Sequence, residues 1–218
     1  MPEIEIVENI LSVNDQLALN TQKDLDGLHV LGLNVMASPG GGKTSVIYKT
    51  IEALKDEYRV GVMEGDVVMI DVDKIAQLGV PVELVNTGGD CHLDANMVRE
   101  VLPKMGLDKL DLMIIENVGN LICPAAFKLG THLNVLIASV PEGADKPYKY
   151  PNMYRGADVL LLNKMDLKDY MEFDLDYFRR GVEILNPGVA FFPISCRTGD
   201  GLAAWLDWLR AKIQEHKA

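Results

Sequence analysis

An apolar run, Leu28-His29-Val30-Leu31-Gly32-Leu33-Asn34-Val35-Met36, passes directly into Ala37-Ser38-Pro39-Gly40-Gly41-Gly42-Lys43-Thr44 and then into an amphipathic stretch over about 44–55. That order reads as strand, loop, helix. Backbone N–H groups of Gly40, Gly41 and Gly42 can point into one concavity at the positive N-terminal end of the helix, which makes the loop a phosphate cradle. Lys43 can then reach β- and γ-phosphates, Thr44 can hold Mg²⁺, and Ser45 follows on the same helical turn. Ala37 stands where the strict pattern has glycine, a small departure. A glycine-rich turn that touches no ligand is the alternative, but a loop between a buried strand and a helix is where the phosphate mechanism needs it.

The same alternation recurs along the chain. Strands are expected near Arg59–Glu64, Val82–Asn86, Asp111–Ile115, Asn134–Val140, Asp158–Asn163 and Ala190–Ile194, and helices near Val72–Leu78 and Leu93–Val101. Runs such as Leu112-Met113-Ile114-Ile115 and Val159-Leu160-Leu161-Leu162 are apolar at every position, as in strands buried on both faces of a parallel sheet. The fold class is therefore α/β, a three-layer, doubly wound, mostly parallel sheet of the phosphate-loop NTPase type. Residues 1–27 are expected to add an N-terminal helical extension outside the sheet, with Ile10, Leu11, Leu17, Leu19 and Leu25 as its apolar positions, and 28–218 to form the nucleotide-binding domain. Leu202, Trp205, Leu206, Leu209 and Ile213 recur at helical spacing and predict a closing helix over 202–217.

Charge narrows the partners. Thirty-two acidic against 21 basic residues leave a net −11, a surface that repels nucleic-acid phosphates. No apolar run approaches the ~20 residues that span a bilayer, and Met1-Pro2-Glu3-Ile4-Glu5 lacks the basic-then-apolar pattern of a secretory signal, so a cytoplasmic protein without membrane contact is expected. Three cysteines, Cys91, Cys123 and Cys196, are too few for a disulfide framework and read as free thiols or metal ligands.

Beyond the loop, carboxylates at strand ends converge on the phosphate side of such a sheet. Glu116, in Glu116-Asn117-Val118-Gly119, is the expected acid near Mg²⁺, and Gly119 offers an N–H to the γ-phosphate. Asp66, in Glu64-Gly65-Asp66, is a second candidate acid, with turn or cap roles as the alternative for both carboxylates. Asn163-Lys164-Met165-Asp166 follows a strand and resembles the guanine-specificity motif of GTPases. A carboxylate at Asp166 accepts from guanine N1–H and the 2-amino group, whereas adenine offers neither, and rejection through unpaired polar groups is strong discrimination. Ser195 and Cys196, after the next strand, occupy the place of a second base loop whose N–H groups would meet guanine O6. The reading is GTP or GDP, not ATP; the partition and metal-insertion ATPases carry a lysine where this loop has Ser38.

A thiol and an imidazole, Cys91 and His92, lie between a strand and a helix in Thr87-Gly88-Gly89-Asp90-Cys91-His92-Leu93-Asp94, and Cys123 follows 32 residues later (123 − 91). All three follow strand ends on the phosphate side, so they can meet within the fold or across a dimer interface. Two thiolates and an imidazole leave an open position and suit Zn²⁺ or Ni²⁺; ligand type alone does not choose. Buried packing for the cysteines and a helix cap for the histidine are the alternatives.

Taken together, the phosphate loop, Gly88–Asp94, Glu116–Pro124, Glu142–Pro151 and Asn163–Leu167 closely resemble the nickel-insertion GTPases of hydrogenase maturation, the HypB family, over about residues 28–205. The resemblance implies a GTPase that dimerises with GTP bound, Cys91, His92 and Cys123 as nickel or zinc ligands near the subunit interface, and delivery of nickel to the hydrogenase large-subunit precursor. It implies as partners a small nickel-binding maturation chaperone and sometimes a nickel storage protein. Lys43, Thr44, Asp66 and Glu116 carry over as phosphate and Mg²⁺ residues, and Asn163, Lys164 and Asp166 as the base reader. Two departures stand out: residues 1–27 hold no Cys or His, so the N-terminal nickel-storage motif of many members is absent from that stretch, and Gly41 replaces a common serine. Competing expectations are a metal-binding chaperone whose hydrolysis is incidental and a urease-type nickel-insertion GTPase, whose Cys-Pro-His contrasts with the adjacent Cys91-His92 here.

Overall fold

The computed structural model describes residues 2–65 and 72–218, with the side chains of 2–9, 72 and 73 left aside. Asp66 lies outside the described residues. Seven strands, β1 Leu31–Ala37, β2 Val60–Glu64, β3 Val82–Leu84, β4 Leu112–Glu116, β5 Leu133–Ser139, β6 Val159–Asn163 and β7 Ala190–Pro193, form one sheet in the order β3-β2-β4-β1-β5-β6-β7. Every pairing is parallel. Helices α1 Pro2–Gly27, α2 Lys43–Leu54, α3 Val72–Ala76, α4 Ala95–Val101, α5 Lys146–Lys149, α6 Pro151–Arg155, α7 Leu175–Leu185 and α8 Leu202–Lys217 cover its faces. Six strands fall within about two residues of their expected places; β1 begins at Leu31 and not at Leu28, because Leu28 and His29 close the turn that ends α1 through bonds to Leu25 O and Asp26 O. The mostly parallel sheet is wholly parallel among the described strands.

Alternate strand residues enter separate cores, which is why the strands are apolar throughout. Leu33, Val35, Leu112 and Ile114 pack against Val46, Ile47 and Ile51 of α2 and Trp205 and Leu209 of α8. On the opposite face Met113 and Ile115 pack with Val98 of α4 and Leu25 of α1, while Met36, Leu136 and Leu160 pack with Tyr154, Phe178 and Val182. Asn34 is the polar exception within β1, and at 2% exposure its side chain bonds both Asn117 and Asn134, as a buried amide must.

The N-terminal helix is docked on this framework. Leu25 is fully buried, Asn14 Nδ2 donates to Lys128 O at 3.0 Å, and Asn14 Oδ1 accepts the Ala95 N–H at 2.8 Å, at the start of α4. Its packing partners are thus α4 and the 128–132 segment, contacts that no local pattern reveals. Helices α5, α6 and α7 are additions to the sequence reading. Among the described residues no helix is long and apolar enough to cross a membrane.

Candidate functional site

The chain runs from β1 to β2 on one side of the sheet and from β4, past β1, to β5 on the other, so the strand order reverses at β1 and opens a crevice at the carboxyl ends of the strands. A cleft of about 1200 Å³ lies there, lined by Gly40, Gly42, Lys43, Thr44 and Ser45 of the loop and helix, Glu116 and Gly119 after β4, and Asn163, Lys164, Asp166 and Cys196 at the other end. Gly40 and Gly42 have φ of +75° and +97°, which glycine adopts without strain. A Cβ at Gly42 would overlap Asn163 Nδ2, so the phosphate loop and the base motif are in direct contact. Asn163 Nδ2 donates to Gly41 O at 3.3 Å, and Lys164 Nζ to Gly40 O at 2.7 Å. Gly41 plays a different part from its neighbours: its N–H donates to Ser38 O, within the loop itself.

Thr44 Oγ1 donates to Glu116 Oε1 at 2.9 Å, so the hydroxyl and the carboxylate expected beside Mg²⁺ are together. Glu64 stands in register with Glu116 on the adjacent strand, and both are buried, at 1% and 6% exposure. Gly119 packs on Pro39, where an added Cβ would lie 3.3 Å from Lys43 Nζ. At the far end Ser195 Oγ donates to Asp166 Oδ1 at 2.7 Å and holds that carboxylate in place. The Ser195 N–H bonds Asp200 O and the Cys196 N–H bonds Asn163 Oδ1 at 3.3 Å, so Ser195 serves as a support behind the cleft wall. Tyr48, Lys49, Lys74, Gln77, Leu167 and Arg197 also line the cleft, residues that short motifs do not single out.

Cys91, His92 and Cys123 come together within this one chain, their ligand atoms all within 4.8 Å of one another. Cys91 Sγ lies 3.1 Å from Cys123 Sγ and 3.9 Å from His92 Nδ1. Sharing a proton with the neighbouring sulfur holds the Cys91 thiol above its ordinary pKa. Three further residues build the cluster, all missed in sequence. Asn120 Nδ2 donates to Cys91 O at 3.1 Å, and Phe127 stacks on His92 with ring centroids 4.0 Å apart. Asn117, buried at 1% exposure, accepts the Leu93 N–H at 3.2 Å through Oδ1 and donates through Nδ2 to Asn34 Oδ1 at 3.0 Å. Asp94, not His92, caps α4, through its bond to Met97 N at 2.8 Å.

A second set of possible ligands, Asp26, His132 and His216, lies at the opposite end of β1. Gly32 N–H donates to His132 Nδ1 at 2.8 Å, which places the imidazole proton on Nε2, 3.0 Å from Asp26 Oδ1. A protonated nitrogen is no metal ligand, and the group reads as a clamp between α1 and β5.

The family model described as CobW/HypB/UreG, nucleotide-binding domain, matches residues 32–193. The chain is similar to the hydrogenase maturation factor HypB of Escherichia coli K12, with 41% identity over 97% of this chain and 73% of that one. Among solved structures it resembles the hydrogenase maturation factor HypB from Archaeoglobus fulgidus, at a TM-score of 0.87 and 34% identity over 93% of this chain and 99% of the other. HypB from Helicobacter pylori in complex with nickel matches at a TM-score of 0.87 and 33% identity, over 94% and 96% of the two chains.

Proposed function

The chain belongs to the CobW/HypB/UreG family, and on that premise we propose that it is a GTP-hydrolysing metallochaperone that binds nickel at Cys91, His92 and Cys123 and delivers it to the hydrogenase large-subunit precursor. The observation that carries this reading is a continuous bonded path between the two sites. Thr44 Oγ1 bonds Glu116, the next residue Asn117 bonds Leu93 N–H, and Leu93 follows Cys91-His92 directly. A change at the γ-phosphate that moves Glu116 therefore acts on the metal loop through one side chain.

In this mechanism the base end selects and the loop end reacts. Asp166, held by Ser195, accepts from guanine N1–H and its amino group, and Asn163 ties that selection to the loop. Arg197, beside Cys196 on the cleft wall, comes from the loop nearest the base. Lys43 meets the β/γ-phosphates, and the N–H groups of Gly42 and the start of α2 offer their dipoles to the charge that builds there. Thr44 and Glu116 offer hard oxygens that suit Mg²⁺, with Asp66 assigned to the same set by the family resemblance alone; the ion, when bound, would supply positive charge against the charge that builds on the phosphates. Hydrolysis releases the order imposed on these segments and with it the metal loop. Homodimerisation in the GTP state, a small nickel-binding maturation chaperone as donor, and zinc as an alternative occupant belong to the same proposal.

Phosphate release tests the enzymatic half. GTP is cleaved and ATP is not, Lys43→Ala abolishes turnover, and Asp166→Asn transfers preference from guanosine to xanthosine triphosphate, because the amide donates where the carboxylate accepted. ATP cleaved as fast as GTP by the unaltered chain would overturn the base assignment, and survival of metal transfer in Lys43→Ala would return hydrolysis to an incidental role.

A further inference from the structure

The sulfur pair has a chemistry of its own. At 3.1 Å, Cys91 Sγ and Cys123 Sγ are only about 1 Å farther apart than the ~2.05 Å of a disulfide bond. Both are free thiols, Cys91 exposed and Cys123 half-buried, so a small reagent reaches them. Their closeness is built by the main chain. Asn120 donates through Nδ2 to Cys91 O and accepts the Ile122 N–H at 2.9 Å through Oδ1, which ties the Cys91 loop to the segment that carries Cys123. Buried Pro124 then fixes the turn Cys123–Ala125. Closing an S–S bond asks the two sulfurs to approach by about 1 Å.

We propose that Cys91 and Cys123, when free of metal, form a reversible intramolecular disulfide by exchange with a low-molecular-weight disulfide such as oxidised glutathione, and that this bond shuts the metal site. One protein thiolate attacks a glutathione sulfur and expels one glutathione thiolate. The second attacks the protein sulfur of the mixed disulfide and expels the other. Two electrons pass from the protein to glutathione, and the two thiol protons end on the two glutathione molecules, so one disulfide is exchanged for another. The thiolates are the metal-binding form, so the oxidised site keeps only His92 as a ligand. Metal and oxidation are mutually exclusive, and bound nickel protects the thiols as strongly as oxidation weakens nickel. Cys196 stands apart, its thiol pushed up to about 11 by burial, and serves as the internal control. The exchange reaction stands on geometry alone; its effect on loading rests on the metal assignment above.

The 218-residue chain, nucleotide-free, is equilibrated in glutathione redox buffers with and without excess nickel, then acid-quenched for thiol counting and intact mass. Reduced, it has three free thiols; oxidation is expected to leave one, Cys196. The mass falls by about 2 Da, nickel affinity drops at least ~100-fold, and saturating nickel prevents both changes. Cys196→Ala still loses two thiols, whereas Cys123→Ser stops at a single glutathione adduct on Cys91. Persistent glutathione on both Cys91 and Cys123 with no internal bond would overturn the proposal, as would undiminished nickel affinity in the oxidised chain. Loss of two thiols in a chain whose reduced form never binds nickel would support the exchange and overturn the metal reading instead.

Discussion

Replacing Gly42 with alanine tests how the phosphate loop is held against the base motif. Two costs add. A left-handed φ of +97° costs a residue with a Cβ about 1–2 kcal/mol. The new methyl overlaps Asn163 Nδ2, and Asn163, at 2% exposure, has nowhere to retreat without giving up its bonds to Gly41 O and Cys196 N. Each bond is worth about 0.5–1.5 kcal/mol net. The expected loss is about 3 kcal/mol in urea unfolding of the nucleotide-free chain. Gly40→Ala is the matched control, since Gly40 shares the left-handed backbone at φ +75° but has nothing within 4 Å of an added Cβ. It pays only the backbone cost, about 1–2 kcal/mol. Equal destabilisation of the two variants, or a loss below ~0.5 kcal/mol for Gly42→Ala, would refute the contact as the element that seats the loop.

Three further perturbations probe the framework. Asp111 has a side chain only 8% exposed and bonds Arg59 Nε at 3.0 Å, Arg59 Nη2 at 2.7 Å and Lys217 Nζ at 2.7 Å. The Arg59 guanidinium and, after it, the Lys217 ammonium hold its carboxyl far below the usual carboxylate range. Its stabilisation is therefore full above the unfolded-state pKa of about 3.9 and is lost as pH falls from there toward the folded value. Asp111→Asn should cost about 2 kcal/mol at neutral pH and flatten unfolding midpoints below pH ~4; an unchanged acid limb contradicts this. Trp205→Phe removes the Nε1–H bond to Thr50 Oγ1, 3.0 Å long, and strands a hydroxyl of a residue 2% exposed, for about 1–3 kcal/mol in denaturant unfolding. Leu25→Ala should cost about 2–4 kcal/mol if α1 is integral to the fold, and less than ~1 kcal/mol would mean that α1 is dispensable.

The sheet was legible because strands buried on both faces lose the polar alternation that would have confused them with surface elements, as in Val159–Leu162. The phosphate loop, Glu116 and Asp166, which line one cleft, and Cys91, His92 and Cys123, which cluster together, stood out in the sequence as candidates because the chemistry proposed for them needs particular residue types at strand ends. Helix α7 carried a readable signal, with Leu175, Phe178, Val182 and Leu185 on one face, beneath an otherwise charged composition. Asn117 carried none. Its work is done through bonds to Leu93 and Asn34, 24 and 83 residues away, and no local pattern marks an asparagine for such partners. The N–H groups of Ser195 and Cys196, read in the sequence as facing the base, bond Asp200 O and Asn163 Oδ1, because which N–H of a loop faces a cleft depends on how the turn is closed.

The central claim is that the nucleotide cleft and the sulfur site are coupled through Glu116, Asn117 and Leu93. Equilibrium dialysis of nickel against the chain saturated with GDP, and then with a nonhydrolysable GTP analogue, tests it directly under reducing conditions. The account predicts a nickel affinity or stoichiometry that differs between the two nucleotides, with the difference abolished in Cys91→Ala. Identical nickel binding in both states, or a nucleotide effect that persists in Cys91→Ala, would contradict it.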